Sequence, residues 1–142
     1  MKLRAEACLR EMGVRIPSVN MEVAKLSGGQ RQSIAIARSV YSQAKVLLLD
    51  EPLAATGAKE GALILDLIRT LKAKGDVSMT VIAHNYAQVL EVCDRVHLLE
   101  HGTVALDKPA SETSVEELTE LVVREYRAAA QARSAGPAGP FN

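Results

Sequence analysis

Asp50 and Glu51 stand side by side, directly after the apolar run Val46-Leu47-Leu48-Leu49 and directly before Pro52. Such a run has the pattern of a strand buried on both faces, and carboxylates at the carboxyl end of a buried parallel strand lie where ligands of open α/β sheets collect. Two adjacent carboxylates can divide the work. A hard Mg²⁺ ion keeps most of its waters and needs one carboxylate nearby, while an attacking water needs a second to orient or deprotonate it. A complementary group precedes them at Leu26-Ser27-Gly28-Gly29-Gln30. Ser27 and Gln30 have the spacing of a capping box, so Ser27 is expected to cap a helix running to about Gln43. The first N–H groups of that helix are exposed at the positive end of its dipole, and two glycines remove side chains where a phosphate would need close approach. His84 is the third candidate, placed after a short apolar stretch at residues 79–83 and before Asn85.

The elements that must hold these groups follow from spacing. Leu3, Ala7 and either Arg10 or Glu11 predict a helix over residues 2–11, with Gly13 as its stop, and residues 14–25, which contain Pro17 and Asn20, read as a loop. Ile34, Ala37 and Tyr41 share a face of the helix opened by Ser27, so that face is expected to be buried. From Ala58 a further helix carries the stripe Leu63, Ile64, Leu67, Ile68 and Leu71, read as core, and Gly75 ends it. Residues 79–83 form a strand. Asn85 can then cap a helix to about Cys93, with Val89 and Val92 on one face. Val96, Leu98 and Leu99 form a strand that turns at His101-Gly102 into residues 103–106, and Pro109 breaks the pattern. Ser114-Val115-Glu116-Glu117 is a second capping box, with Leu118, Leu121 and Val122 inward and its charges on a solvated face. From Ala128 the chain turns to Ala, Gly and Pro, so residues 128–142 read as a disordered tail after one domain at 1–127.

Composition narrows the function classes. The 142 residues are 48% hydrophobic and 24% charged, ordinary for a soluble globular chain with one modest core. Lys plus Arg and Asp plus Glu number 17 each, so no overall basic field is available for nucleic acid, and none is expected as a partner. Cys8 and Cys93 lack CxxC or Cys/His spacing and read as small buried hydrophobes in a reducing compartment, and His97 and His101 read as structural or surface residues. No apolar run approaches the ~20 residues of a membrane helix. The chain reads as cytosolic.

Each chemical feature also has a bland explanation: an N-capped helix, a charged strand end before a turn, a packed neutral histidine. Their order favours chemistry. LSGGQ at residues 26–30, followed by VLLLDE at 46–51 and His84, resembles the signature motif, Walker B and H-loop of ABC-type ATPases over about residues 1–110, the second half of such a nucleotide-binding domain. The resemblance implies a partial P-loop NTPase α/β fold, a mainly parallel sheet fragment with flanking helices and a terminal antiparallel hairpin. It implies that Ser27, Gly28, Gly29 and Gln30 contact the γ-phosphate of ATP bound to the opposite subunit of a head-to-tail dimer. It implies that Asp50 is the Mg²⁺-associated carboxylate, usually acting through water, that Glu51 is the catalytic glutamate, and that His84 senses the γ-phosphate. Leu53-Ala54-Ala55-Thr56-Gly57 stands at the D-loop. Gly57 replaces its aspartate, a variant similar to that of some monosaccharide-importer ATPases.

No glycine here is followed by lysine, so the chain contains no Walker A loop, whose backbone and lysine cradle the phosphates. The 142 residues are therefore not expected to hold ATP and Mg²⁺ except in an assembly that supplies that loop. The family strand that feeds Walker A lies beside strands present here, so marginal stability or association is expected without it. The resemblance implies a transporter subunit, an importer and by the D-loop a sugar importer. Its partners would be a second ABC ATPase subunit or a chain carrying Walker A, and transmembrane permease subunits that hold it at the inner face of the membrane. The alternatives are a non-hydrolysing module that offers LSGGQ to another subunit, and a truncated remnant without activity. A DNA-repair or chromosome-organising ATPase ranks below them, for want of a heptad region or basic patch.

Overall fold

The computed structural model describes residues 2–54 and 56–134. The chain falls into two compact units that divide between Val92 and Cys93. The reason lies in strand pairing, because each of the two sheets is completed within one unit.

The first unit contains α1 (Lys2–Glu11), α2 (Gly28–Tyr41), β1 (Val46–Asp50), α3 (Ala58–Lys74), β2 (Ser78–Ile82) and α4 (Tyr86–Val92). β1 and β2 pair in parallel, from Val46 opposite Ser78 to Asp50 opposite Ile82, so α3 is the crossover that parallel strands require. Helix stops fall where glycine predicts them. Gly13 and Gly75 both take positive φ, a conformation that costs glycine little, and the Gly75 N–H bonds back to the carbonyls of Leu71 and Lys72. The helix opened by Ser27 ends at Tyr41, two residues early, where Gln43 enters the left-handed region.

Burial departs from the periodic reading at three places. β1 is covered on one face only: Leu47 and Leu49 are buried, whereas Leu48 is 77% exposed and Val46 61%. A two-stranded sheet offers each strand a single covered face when no further layer lies among the described residues. On α2 the buried face is Gly29, Ser33, Ile36 and Ala37, rotated away from the Ile34–Ala37–Tyr41 line, and Tyr41 is exposed. Small residues lead because α2 runs close against α3: a Cβ on Gly29 would lie 2.5 Å from Glu60 Cβ. On α3 the core set is Ile64, Leu65, Leu67, Ile68 and Leu71, so Leu65 takes the place expected for Leu63, which is exposed.

The second unit holds β3 (Arg95–Glu100), β4 (Thr103–Pro109) and α5 (Val115–Ser134). β3 and β4 are antiparallel with Glu100 opposite Thr103, so His101 and Gly102 form the two-residue turn, both at positive φ as such a hairpin requires. Two expectations fail here. Ser114 Oγ accepts from the Glu117 N–H at 3.2 Å, but the Glu117 carboxylate does not reach back: it accepts from Thr113 Oγ1 at 2.8 Å and from Lys108 Nζ. The second capping box is a one-way cap, because a cation was within reach and a charged partner outcompetes a neutral N–H. The tail also starts later than Ala128. α5 continues to Ser134, consistent with the strong helix propensity of the alanines at 128–130, and residues 135–142 lie outside those described.

Candidate phosphate-facing and carboxylate site

The local sequence builds the opening of α2 completely. Ser27 Oγ accepts from the Gln30 N–H at 3.2 Å, and Gln30 Oε1 accepts from the Ser27 N–H at 3.0 Å, a reciprocal capping box. The Arg31 N–H already donates to the Ser27 carbonyl at 3.0 Å. The cap and the helix ladder therefore leave the N–H groups of Gly28 and Gly29 as unused donors of the first turn. The Ser27 hydroxyl proton and the Gln30 amide nitrogen also remain free to donate, since each side chain is used only as an acceptor. The charged guanidinium of Arg31 turns back to the Leu26 carbonyl at 2.6 Å and fixes the entry to the helix. The arrangement suits an anion.

The glycines have different duties. Gly28 is exposed, as an approach surface would be, but Gly29 is buried against Glu60. Close packing of α2 on α3 explains the second glycine without any ligand.

At the end of β1 the chain bends sharply. The Glu51 N–H adds one more bond to the sheet, donating to the Ile82 carbonyl at 2.9 Å, and Glu51 then adopts φ +44°, a strained value for a residue with a side chain. That turn presents its carboxylate to His84 just beyond the end of β2. His84 Nδ1 lies 2.9 Å from Glu51 Oε2, with the histidine side chain 81% exposed. Parallel register explains the meeting, because Asp50 opposite Ile82 sets both residues past the same end of the sheet. Asp50 is exposed and makes no ion pair among the described residues. No cluster of three or more His, Cys, Asp or Glu able to hold a metal occurs among them. One free carboxylate nonetheless fits Mg²⁺, which is bound through one or two carboxylates with water and substrate phosphates making up the rest.

Asp50, Glu51 and His84 thus come together, and Ser27, Gly28, Gly29 and Gln30 form a second place. Ser27, Gly29 and Gln30 line a cavity of about 240 Å³ with Arg15, Ser33, Lys59 and Glu60, and none of the carboxylate group lines it. Sequence reasoning missed Arg15, Ser33, Lys59 and Glu60. Glu60 and Lys59 sit in the first turn of α3 and could be anticipated only by knowing that α2 and α3 pack there. Of the D-loop, Thr56 Oγ1 donates to the Leu53 carbonyl at 2.8 Å, Gly57 precedes α3 without a side-chain cap, and Ala55 is outside the described residues.

Comparison with known proteins gives concordant matches. The family profile described as ABC transporter matches residues 1–54. The xylose/arabinose import ATP-binding protein XylG of Sulfolobus acidocaldarius is 46% identical over 114 residues, covering 80% of this chain and 45% of that protein. The fructose import ATP-binding protein FrcA of Rhizobium meliloti is 42% identical over 103 residues, covering 72% of this chain and 39% of that protein. The chain thus spans less than half the length of these relatives. Among solved structures, a metal-chelate type ABC transporter in an inward-facing conformation matches with TM-score 0.73 and 28% identity, over 84% of this chain and 48% of that one. The cassette MJ0796, as a dimer in a post-hydrolysis state with ADP and Pi, matches with TM-score 0.63 and 28% identity, over 76% and 46%.

Proposed function

Because the chain belongs to the ABC transporter ATP-binding domains, we propose that it is the signature and Walker B portion of the ATP-binding subunit of a sugar importer. The names of the relatives, xylose/arabinose and fructose import proteins, support sugar import. Ser27, Gly28, Gly29 and Gln30 meet the γ-phosphate of ATP held by an opposing subunit, using the donors that the capping box leaves unspent. Asp50 stands near Mg²⁺ through water. That ion, when bound, neutralises developing phosphate charge. Glu51 orients or deprotonates the attacking water, and His84 holds the Glu51 carboxylate in place.

The histidine geometry carries a chemical consequence. With Nδ1 directed at Glu51, the outward nitrogen is Nε2, and it can donate to a phosphate oxygen only when the ring carries both protons. Carboxylate and phosphate would then share one imidazolium between them.

The phosphate-cradling loop of the cis pocket comes from outside these 142 residues, which contain no Gly-Lys pair. An opposing ATP-binding subunit and permease subunits at the inner face of the membrane complete the assembly. No helix among the described residues is long and apolar enough to cross a membrane. The single observation that carries the proposal is the 2.9 Å approach of His84 to Glu51 at the carboxyl end of β1.

The experiment is binding of a fluorescent, slowly hydrolysed ATP analogue with Mg²⁺ to an intact ABC ATP-binding subunit, with and without this chain. Tighter binding when the chain is added, lost in Ser27→Arg, is the expected result. No effect of the chain on analogue binding by the intact subunit would overturn it.

A further inference from the structure

Three polar side chains with no partner of their own meet at the cavity beside the opening of α2. Arg15 follows the Gly13 turn at the end of α1, Lys59 lies in the first turn of α3, and Ser33 is one turn beyond Gly29 on the buried face of α2. Arg15 and Lys59 are exposed and make no hydrogen bond or ion pair among the described residues. Ser33 is the informative member. It retains only 7% of its surface yet its hydroxyl is bonded to nothing among those residues, neither to a helix carbonyl as Ser39 is nor to α3. No sealed side-chain oxygen or nitrogen lacks a partner among them, so the Ser33 hydroxyl must reach the cavity it lines. A nearly buried donor opening into a space shared with two cations and a helix N-terminus marks a place for an anion. One carboxylate is also present: Glu60 lines the cavity, its Oε2 2.7 Å from where a Cβ on Gly57 would lie. Two cations against one carboxylate still leave the site net positive.

We infer that Arg15, Ser33 and Lys59 extend the opening of α2 into a pocket for the phosphate chain of a nucleoside triphosphate. The inference rests on the proposed role of Ser27 and Gln30, which line the same cavity, and adds binding residues to it. A triphosphate is favoured over a single phosphate by reach. The donors of the first turn, the Ser33 hydroxyl and the two long cationic side chains come from three different segments around a cavity of about 240 Å³, a spread that a chain of phosphates spans more fully than a single one.

The test is an amide NMR titration of the full chain, without Mg²⁺, using inorganic tripolyphosphate, ATP and AMP. Saturable shifts at Gly28 and Gly29 with both triphosphates, and far smaller ones with AMP, are expected. Equal affinity for tripolyphosphate and ATP would identify the phosphate chain as the recognised part, and tighter ATP binding the nucleotide. Replacing both cations, Arg15→Gln with Lys59→Gln, should weaken binding about tenfold with an unchanged circular dichroism spectrum, since both side chains are exposed. Ser27→Leu separates the two ideas. If the cation variant binds as the wild type does while Ser27→Leu does not, the signature role stands and the cationic pocket is wrong. If the cation variant loses binding while Ser27→Leu keeps it, the pocket stands and the role of Ser27 is wrong. No saturable shift with either triphosphate overturns the pocket.

Discussion

Gly29 on α2 and Glu60 on α3 approach so closely that a Cβ on the glycine would sit 2.5 Å from the glutamate Cβ and 3.5 Å from its Cα. The second glycine of the signature is therefore a packing residue. Gly29→Ala should cost about 1–3 kcal/mol, the usual penalty for forcing an extra carbon into a packed contact. Urea unfolding reads it. Adding Glu60→Gly to Gly29→Ala should recover part of the loss, and additive costs would mean that the contact is not the cause.

Ser27 caps α2 and has a proposed phosphate contact, and one substitution can divide the two. Aspartate caps a helix about as well as serine, whereas alanine gives up about 1 kcal/mol. Ser27→Asp should keep the wild-type unfolding midpoint yet abolish enhancement of analogue binding by the opposing subunit, because a carboxylate then faces the phosphate. Ser27→Ala should lower the midpoint. Equal binding by Ser27→Asp and wild type would remove the phosphate from this place.

Glu51 and His84 should matter to chemistry far more than to folding. The His84 side chain is 81% exposed, and substitutions at such positions change stability by no more than about 0.5 kcal/mol. In an assembly supplied with Walker A, Glu51→Gln and His84→Ala should each lower steady-state hydrolysis by about 100-fold or more, the range for a positioned acid–base group. Phosphate release measures it. A variant that unfolds early and hydrolyses normally would reverse both assignments.

The second unit should lose stability in acid. A hydrogen bond from Arg95 Nε, 2.6 Å from Asp107 Oδ1, holds the Asp107 carboxyl below the usual aspartate range, with His97 Nδ1 at 3.2 Å as a further partner. Lys108, and then Thr113, lower Glu117 in the same way. The unfolded chain takes up these protons at higher pH than the folded one, so the stabilisation is full above the ordinary carboxylate range and fades as pH falls through the folded values. Asp107→Asn should lower the melting temperature at pH 7 and make little difference near pH 2. An equal effect at both would leave the ion pair without a role.

Much of the candidate site was legible because its parts are local. A serine three residues before a glutamine closes its own ring of hydrogen bonds, so the cap at Ser27 needed no knowledge of the rest of the chain. Asp50 and Glu51 after an apolar run marked a strand end, and His84 marked another. That the two ends coincide within hydrogen-bonding distance was not legible from spacing, since it depends on the parallel register of β1 with β2. Arg15, Ser33 and Lys59 carried no signal, lying on three segments that only packing brings to one cavity.

The amino-acid sequence by itself determined the element order, the helix stops at Gly13 and Gly75, the His101-Gly102 turn and the cap of α2, because each is closed by backbone conformations and hydrogen bonds within a few residues. Tertiary structure alone decided that Leu47 and not Leu48 is core, that Leu65 replaces Leu63, that Glu117 turns to Lys108, and that Gly29 meets Glu60. Periodicity states which side chains share a face, but whether that face is covered, and which charge lies nearest, depends on residues far along the chain. That is why the donors of α2 could be predicted one by one, while the cavity they share with α3 could not.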